Sequence, residues 1–359
     1  MAEVALADVG GWPALLGTLM AGDDLSAPVA GAAMAEVLAG NATPAQLAAF
    51  VVALRMKGET VDELTGLVRA LLDVAETVPL QPGVAPVDTC GTGGVRSRRV
   101  AALNVSTIAA FVIAGAGTPV CKHGNRAASS TSGSADLLEA LGVSLDLGGA
   151  GVARCVADAG MGFCFAPRFH PAMRHAGPTR RELGVQTVFN VIGPLANPAR
   201  VRHQVLGVGD ERLADTLAAV LQANGAERAL VVSGHDGLDE LTTTTTSTVH
   251  ELRDGIRWSY EVDPATFGIA RSDPADLQGG DAARNAALTG EILGGARGAH
   301  RDVVLLNAAA GLVAAGAVDD LAAGYEAAAA SLDSGRAGEV VTRLAAVSRE
   351  AASQAVTGP

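Results

Sequence analysis

Apolar and polar positions over the first quarter of the chain follow helical spacing. Ser26 precedes an apolar-periodic run to about Leu38, and Gly40 stands in C-cap position. Thr43-Pro44-Ala45-Gln46 resembles a capping box with proline at the first helical position, and predicts a helix running to about Met56. Thr60-Val61-Asp62-Glu63 offers a second capping box, leading into a helix that ends near Asp73. TVPLQPGVAP then breaks the periodicity, which marks a linker between a helical domain over residues 1–78 and an α/β domain over 79–359.

From there the pattern changes to short apolar runs alternating with helical segments. Strands are expected at Pro86–Cys90, Pro119–Lys122, Gly162–Ala166, Gln204–Gly209, Ala229–Ser233 and Asp302–Leu306. The helical stretches between them imply a mostly parallel sheet with crossover helices. Asp254-Gly255, set between alternating runs, predicts an antiparallel hairpin around Thr248–Val262. Residues 167–185 form a polar, helical-looking insert within this α/β region.

Composition narrows the class. Hydrophobic residues make up 49% of the 359 positions and aromatic ones only 3%, so the core is built from Ala, Val and Leu, with 44 glycines for close packing and tight turns. A net charge of −12 argues against a nucleic-acid surface, although a local cluster of donors can still hold a small phosphorylated ligand. The start, MAEVALADVGGW, lacks the basic and apolar character of a signal peptide, and the weakly charged run Val303–Val318 is short for a membrane span. Cys90, Cys121, Cys155 and Cys164 lack zinc-like or CxxC spacing, so reduced core thiols in a cytoplasmic protein are expected.

Four stretches carry chemistry. Gly91-Thr92-Gly93-Gly94 follows a strand and precedes a helix starting near Ser106, with Asn104, Ser106 and Thr107 as donors or caps. Glycines free backbone N–H groups for an anion, and a helix amino terminus adds positive potential. An ordinary glycine-rich βα turn has the same pattern. Lys122 to Ser134, KHGNRAASSTSGS, places two cations, an imidazole, an amide and five hydroxyls in one loop, with no acid until Asp136; it predicts an oxyanion ligand. Asp236-Gly237-Leu238-Asp239-Glu240, at the carboxyl end of a strand, can converge on a hard cation or simply place acids near a helix start. Thr242–Thr246 are expected to supply only strand or turn hydroxyls. Finally, an arginine within the segment from Phe169 to Gly184 could clamp a carboxylate, or lie on a solvated helix face.

In this order the stretches resemble the anthranilate phosphoribosyltransferase family over nearly the whole chain. The resemblance is carried by AGNATPAQLAAFVVALRMKGETVDEL, KHGNRAASSTSGSADLLEALGV, FAPRFHPAMRHAGPTRRELGVQTVFNVIGPLANPA, DGLDELTT, GGDAARNAALTGEILGG and RDVVLLNAAAGL. It implies a small helical domain with the 167–185 insert folded back onto it, an α/β domain of nucleoside phosphorylase type, Mg²⁺ as cofactor and a homodimer through the helical domain. It implies transfer of a phosphoribosyl group from 5-phosphoribosyl pyrophosphate to anthranilate, with no nucleic-acid or membrane partner.

By matching position, the resemblance places Gly91, Gly94, Val95, Asn104, Val105, Ser106 and Thr107 at the donor site. The same site takes Lys122, His123, Gly124, Asn125, Arg126, Ala127, Ala128, Ser129, Ser130 and Ser134. Gly91, Asn125 and Arg180 fall on the anthranilate site, Ser106, Asp239 and Glu240 on metal ligands, and Lys122 and Arg180 on the catalytic pair. The first loop departs from the family. Val95 stands where an aspartate is usual, nine residues rather than six separate Gly94 from Asn104, and Arg96, Arg98 and Arg99 crowd between. A contact from one of these arginines to pyrophosphate or an acidic acceptor, or a lengthened loop with solvated arginines, would each explain them. The departure leaves room for a different aromatic acid or a heterocyclic base as acceptor; a non-catalytic, nucleic-acid-binding relative is the third reading.

Overall fold

The computed structural model describes residues 4–93, 103–127 and 131–357. Four helices come first: α1 (Gly11–Met20), α2 (Ala27–Leu38), α3 (Pro44–Lys57) and α4 (Val61–Asp73). Both expected capping boxes form. Thr43 accepts from Gln46 N and Thr60 from Glu63 N, and each N3 side chain reaches back to the cap N–H. Glu63 does more than cap. Its fully buried carboxylate also takes Leu25 N at 3.0 Å and Lys57 Nζ at 3.0 Å, tying α2, α3 and α4 together. Removing one partner would leave a charge buried without compensation, a loss of about 3–5 kcal/mol.

The rest alternates strand and helix: β1 (Val87–Gly91), α5 (Val105–Gly115), β2 (Val120–Gly124), α6 (Ser134–Ala140), α7 (Gly149–Ala159) and β3 (Met161–Phe165). Three short helices follow, α8 (Ala166–Phe169), α9 (Gly177–Leu183) and α10 (Val188–Ile192), then β4 (His203–Gly207), α11 (Ala214–Ala223) and β5 (Arg228–Gly234). A hairpin, β6 (Ser247–Arg253) and β7 (Ile256–Val262), precedes α12 (Ala282–Leu293), α13 (Ala299–Ala314), α14 (Leu321–Asp333) and α15 (Arg336–Thr357). Among the described residues seven strands form one sheet in the order β3-β2-β1-β4-β5-β6-β7, with β1 to β5 parallel and the hairpin antiparallel. The expected fold class, a helical domain ahead of a mostly parallel α/β domain, is the observed one. Asp254 and Gly255 both take positive φ, as a two-residue hairpin turn requires.

One expected strand is wrong. Asp302–Leu306 lies inside α13, which is buried on nearly every side against α5 and α14. A helix enclosed all round shows no polar stripe, and its short apolar run with two valines reads like a buried strand. Five strands of the parallel region are otherwise found within two residues of expectation.

Two apolar clusters fill the faces of the sheet. One is dominated by α5, α13, α14 and α15; the other joins the first four helices to α10, α11 and the opposite face. The turn Pro171–His175 lies against α2, and α9 lies against α3. All four cysteines are free and buried, with Cys121 Sγ and Cys164 Sγ 3.7 Å apart. Among the described residues no helix is long and apolar enough to cross a membrane.

Candidate active site

The chain winds from β1 outward to β3, then returns to place β4 on the other side of β1. Open parallel sheets bind ligands beyond the carboxyl ends of the strands at such a reversal. Here β1, β2, β4 and β5 all end on glycine, at Gly91, Gly124, Gly207 and Gly234. The reason is visible at two of them: a Cβ on Gly207 would collide with the carbonyl of Asp239, and one on Gly91 with its carboxylate. The loop after β5 thus lies directly across the strand ends, and Asp239 Oδ2 accepts from Gly93 N at 2.8 Å.

Lys122, midway along β2, is 2% exposed, yet its ammonium feels nearby acids. It donates to the Thr89 carbonyl and, at 3.2 Å, to Ser106 Oγ. Burial pushes its pKa down, opposed by Asp88, Cys90, Glu240 and Asp239. Glu240 takes a hydrogen bond from the backbone of Ser106; dense protein around its carboxyl and the neighbouring Asp239 carboxylate push its pKa well up. A crevice of about 10 Å³ is lined by Ser106, Asp239, Glu240, Thr89 and Asn307. Two acids in contact, one disfavoured as an anion, suit a divalent cation. Among the described residues no third His, Cys, Asp or Glu completes a self-sufficient metal cage. The oxygen donors of Ser106, Asp239 and Glu240, gathered at one crevice, fit a hard divalent cation such as Mg²⁺ that keeps waters of its own.

Asp236, whose charge also acts on Glu240, has a different task. Its carboxylate accepts from Thr242 Oγ1 at 2.9 Å, from Thr244 Oγ1 and from Leu238 N, so it shapes the turn that presents the two acids. Thr242 and Thr244 therefore have the structural role their hydroxyls suggested. Asn307, from α13, bonds both the N–H and the carbonyl of Leu241, at 2.9 and 2.8 Å, fixing the residue after Glu240. Sequence reasoning missed it; the only available signal was a polar residue interrupting an apolar run.

The second loop is organised by Asp136. Its carboxylate accepts from Ala127 N and Gly133 N at 2.9 and 2.8 Å and pairs with Arg126, so it is held below the usual carboxylate range even though burial opposes this. Arg126 also meets Glu139 through both terminal nitrogens and lies 5.5 Å from the Phe165 ring centroid. Asn125 is exposed, with its Oδ1 on Arg126 N; Ser134 Oγ donates to its carbonyl at 3.3 Å. Thr107 and Val105 are buried in α5, behind the site. Gly94, Val95, Ala128, Ser129 and Ser130, together with Arg96, Arg98 and Arg99, lie outside the described residues.

Arg180, on α9, is half-buried with its guanidinium 5.0 Å from the Phe189 ring centroid. Burial pushes its pKa down, and among the described residues no carboxylate pairs with it.

Behind the loops, Asp88 is fully buried. It accepts from His123 N at 3.1 Å and Asn197 Nδ2 at 2.9 Å, and Asn197 Nδ2 also reaches the Cys121 carbonyl. His123 is 5% exposed, and burial, with His170 and Lys122 nearby, pushes its pKa down to about 3. The folded chain therefore holds this ring neutral while the unfolded chain protonates it near pH 6.5. Its contribution is intact above pH 6.5 and is lost as pH falls from there toward 3, at about 1.4 kcal/mol per pH unit. Urea unfolding at pH 7.5 and 5.0 should show a steeper loss for the native chain than for His123→Asn, by about 2 kcal/mol. Equal losses would show that His123 is not held neutral.

The sequence matches the glycosyl transferase family description twice, its helical bundle domain over residues 13–75 and its a/b domain over 84–338. It is 52% identical over 340 residues to anthranilate phosphoribosyltransferase of Rhodococcus jostii, spanning 93% of this chain and 92% of the relative. It is 51% identical over 339 residues to that of Thermomicrobium roseum, spanning 93% and 96%. Among solved structures, the Thermus thermophilus enzyme superposes with a TM-score of 0.87 at 40% identity, covering 93% of this chain and 99% of the other. The Saccharomyces cerevisiae enzyme in complex with PRPP and Mg gives 0.84 at 26%, covering 94% and 98%. Identity of this extent, running through the helices and the sheet alike, makes the chain a member of the anthranilate phosphoribosyltransferase family.

Proposed function

We propose that the chain moves the 5-phosphoribosyl group of phosphoribosyl pyrophosphate onto the amine of anthranilate, releasing pyrophosphate, with the residues above in named roles. The observation that carries this is the meeting of Lys122, Ser106, Asp239 and Glu240, from three separate stretches, at glycine-ended strands. Loss of pyrophosphate from an anomeric carbon proceeds through an oxocarbenium-like state, and an aromatic amine is nucleophilic without a strong base. Catalysis then rests on positioning and on stabilising the departing anion. Lys122 supplies buried positive charge beside that anion. By matching position, the phosphates would be met by Gly91, Asn104, Ser106, Thr107 and the loop from His123 to Ser134. Asn125 and Arg180 orient the acceptor, Arg180 through its carboxylate. Mg²⁺ held by Ser106, Asp239 and Glu240 would neutralise pyrophosphate charge when bound.

The same reading takes residues 1–78 as the helical domain, 167–185 as the insert that closes onto it, and 79–359 as the donor-binding domain. It carries a homodimer through the helical domain, where Met20 and Met56 are 82% and 84% exposed. It also carries a cytoplasmic setting, which four unpaired thiols suit.

Mixing the protein with anthranilate, phosphoribosyl pyrophosphate and Mg²⁺ should quench anthranilate fluorescence in step with pyrophosphate release. The arginine-rich departure between Gly94 and Asn104 favours one competing reading, a different aromatic acid as acceptor. Persistent anthranilate fluorescence, with pyrophosphate released on adding another acid, would establish it. No release with any acceptor would overturn the transferase reading.

A further inference from the structure

Asn104 and the 131–133 turn belong to two different donor loops, and neither is anchored by its own strand alone. Both are tied to α12, a helix with no residue in the site described above. Asn285, fully buried on α12, accepts from Gly280 N at 2.8 Å and donates through Nδ2 to Asn104 Oδ1 at 2.8 Å. Asn104 in turn donates to the Ser132 carbonyl at 3.2 Å and accepts from Ser132 Oγ at 3.1 Å. Thr131 Oγ1 donates to the Gly280 carbonyl at 2.8 Å, which closes the circuit back to the lead-in of α12.

The orientation of every amide in this circuit is forced. A backbone N–H can only donate, so Asn285 must turn its oxygen toward Gly280 and its nitrogen toward Asn104. Asn104 must then present oxygen to Asn285, which aims its own nitrogen at the Ser132 carbonyl. We propose that Asn285 is a positioning residue for the donor site: acting through Asn104 and the 131–133 turn, it holds the two phosphate-binding loops in one fixed register. The inference rests on the donor reading given above. An aspartate at position 285 would keep the Gly280 bond but set acceptor against acceptor at Asn104. Neither orientation of the Asn104 amide would then satisfy both neighbours.

The test is a double-mutant cycle read by titration calorimetry of the full chain with phosphoribosyl pyrophosphate and Mg²⁺. Asn285→Ala should weaken donor binding about tenfold and lower kcat, with the KM for anthranilate moving less than about twofold. In an Asn104→Ala background the same change should weaken the donor less than about threefold, because the part it acts through is already gone. An equal loss in both backgrounds, accompanied by a lower melting temperature, would make Asn285 a merely structural residue and overturn the proposal. So would unchanged donor affinity in Asn285→Ala. Should that variant not fold, Thr131→Val decides, since it cuts only the exposed link to Gly280: weaker donor binding at an unchanged melting temperature supports the proposal, and native affinity overturns it. Failure of the unsubstituted protein to bind the donor would sink the donor reading itself, and this inference with it.

Discussion

Asp239→Asn combined with Glu240→Gln lowers magnesium-dependent turnover by about 10³-fold or more, while the chain still folds. The loss is large because the metal-binding charge is removed from the point where pyrophosphate charge develops, and preorganised electrostatics of that kind commonly contribute about 10²–10³-fold per group. The fold should tolerate the change. The amide oxygen introduced at position 239 can still accept from Gly93 N, and the one introduced at position 240 from the Ser106 backbone, so the loop keeps its bonds. Removing two contiguous acids ends a repulsion that pushes Glu240 away from its ionised form, and at the same time withdraws the attraction both acids lend to buried Lys122. The measurements are kcat as a function of Mg²⁺ and a melting curve in EDTA. Turnover retained within about tenfold would show that the metal is held elsewhere.

Arg180→Ala should raise the KM for anthranilate about 10²-fold and leave the KM for phosphoribosyl pyrophosphate within about twofold. The first figure follows from hydrogen bonds to a charged partner, each worth about 1.5–3 kcal/mol. Arg180 is half-buried on the Phe189 ring without a carboxylate partner among the described residues, so an arriving carboxylate finds a planar fork already oriented. Arg180→Lys should recover only a small part of the loss, since an ammonium offers a point charge and cannot stack or bind in bidentate fashion. A donor KM that rises more than the acceptor KM would place Arg180 on the wrong substrate.

Much of this architecture could be read from sequence because it is locally determined. Thr43 and Thr60 announce their helices through residues three positions away, and Asp254-Gly255 announces a hairpin through its backbone preference alone. The two candidate donor loops stood out because polar density without acids is unusual in so apolar a chain. What was not legible is contact across long separations. Asp88 on Asn197, Asn307 on Leu241 and Asn285 on Asn104 each join segments 66 to 181 residues apart. Nothing in the residues beside each of them in sequence points to its distant partner. The error at Asp302–Leu306 has the same root: a helix enclosed by other helices loses the amphipathic stripe that identifies it.

The glycine-ended strands have a consequence for how such a protein can diversify. At Gly91 and Gly207 the strand ends are bare backbone already pressed against Asp239, with no space in which to add a side chain. Selectivity for a new acceptor cannot be drifted into by point substitution there. It has to come from the connecting segments that leave the strand ends.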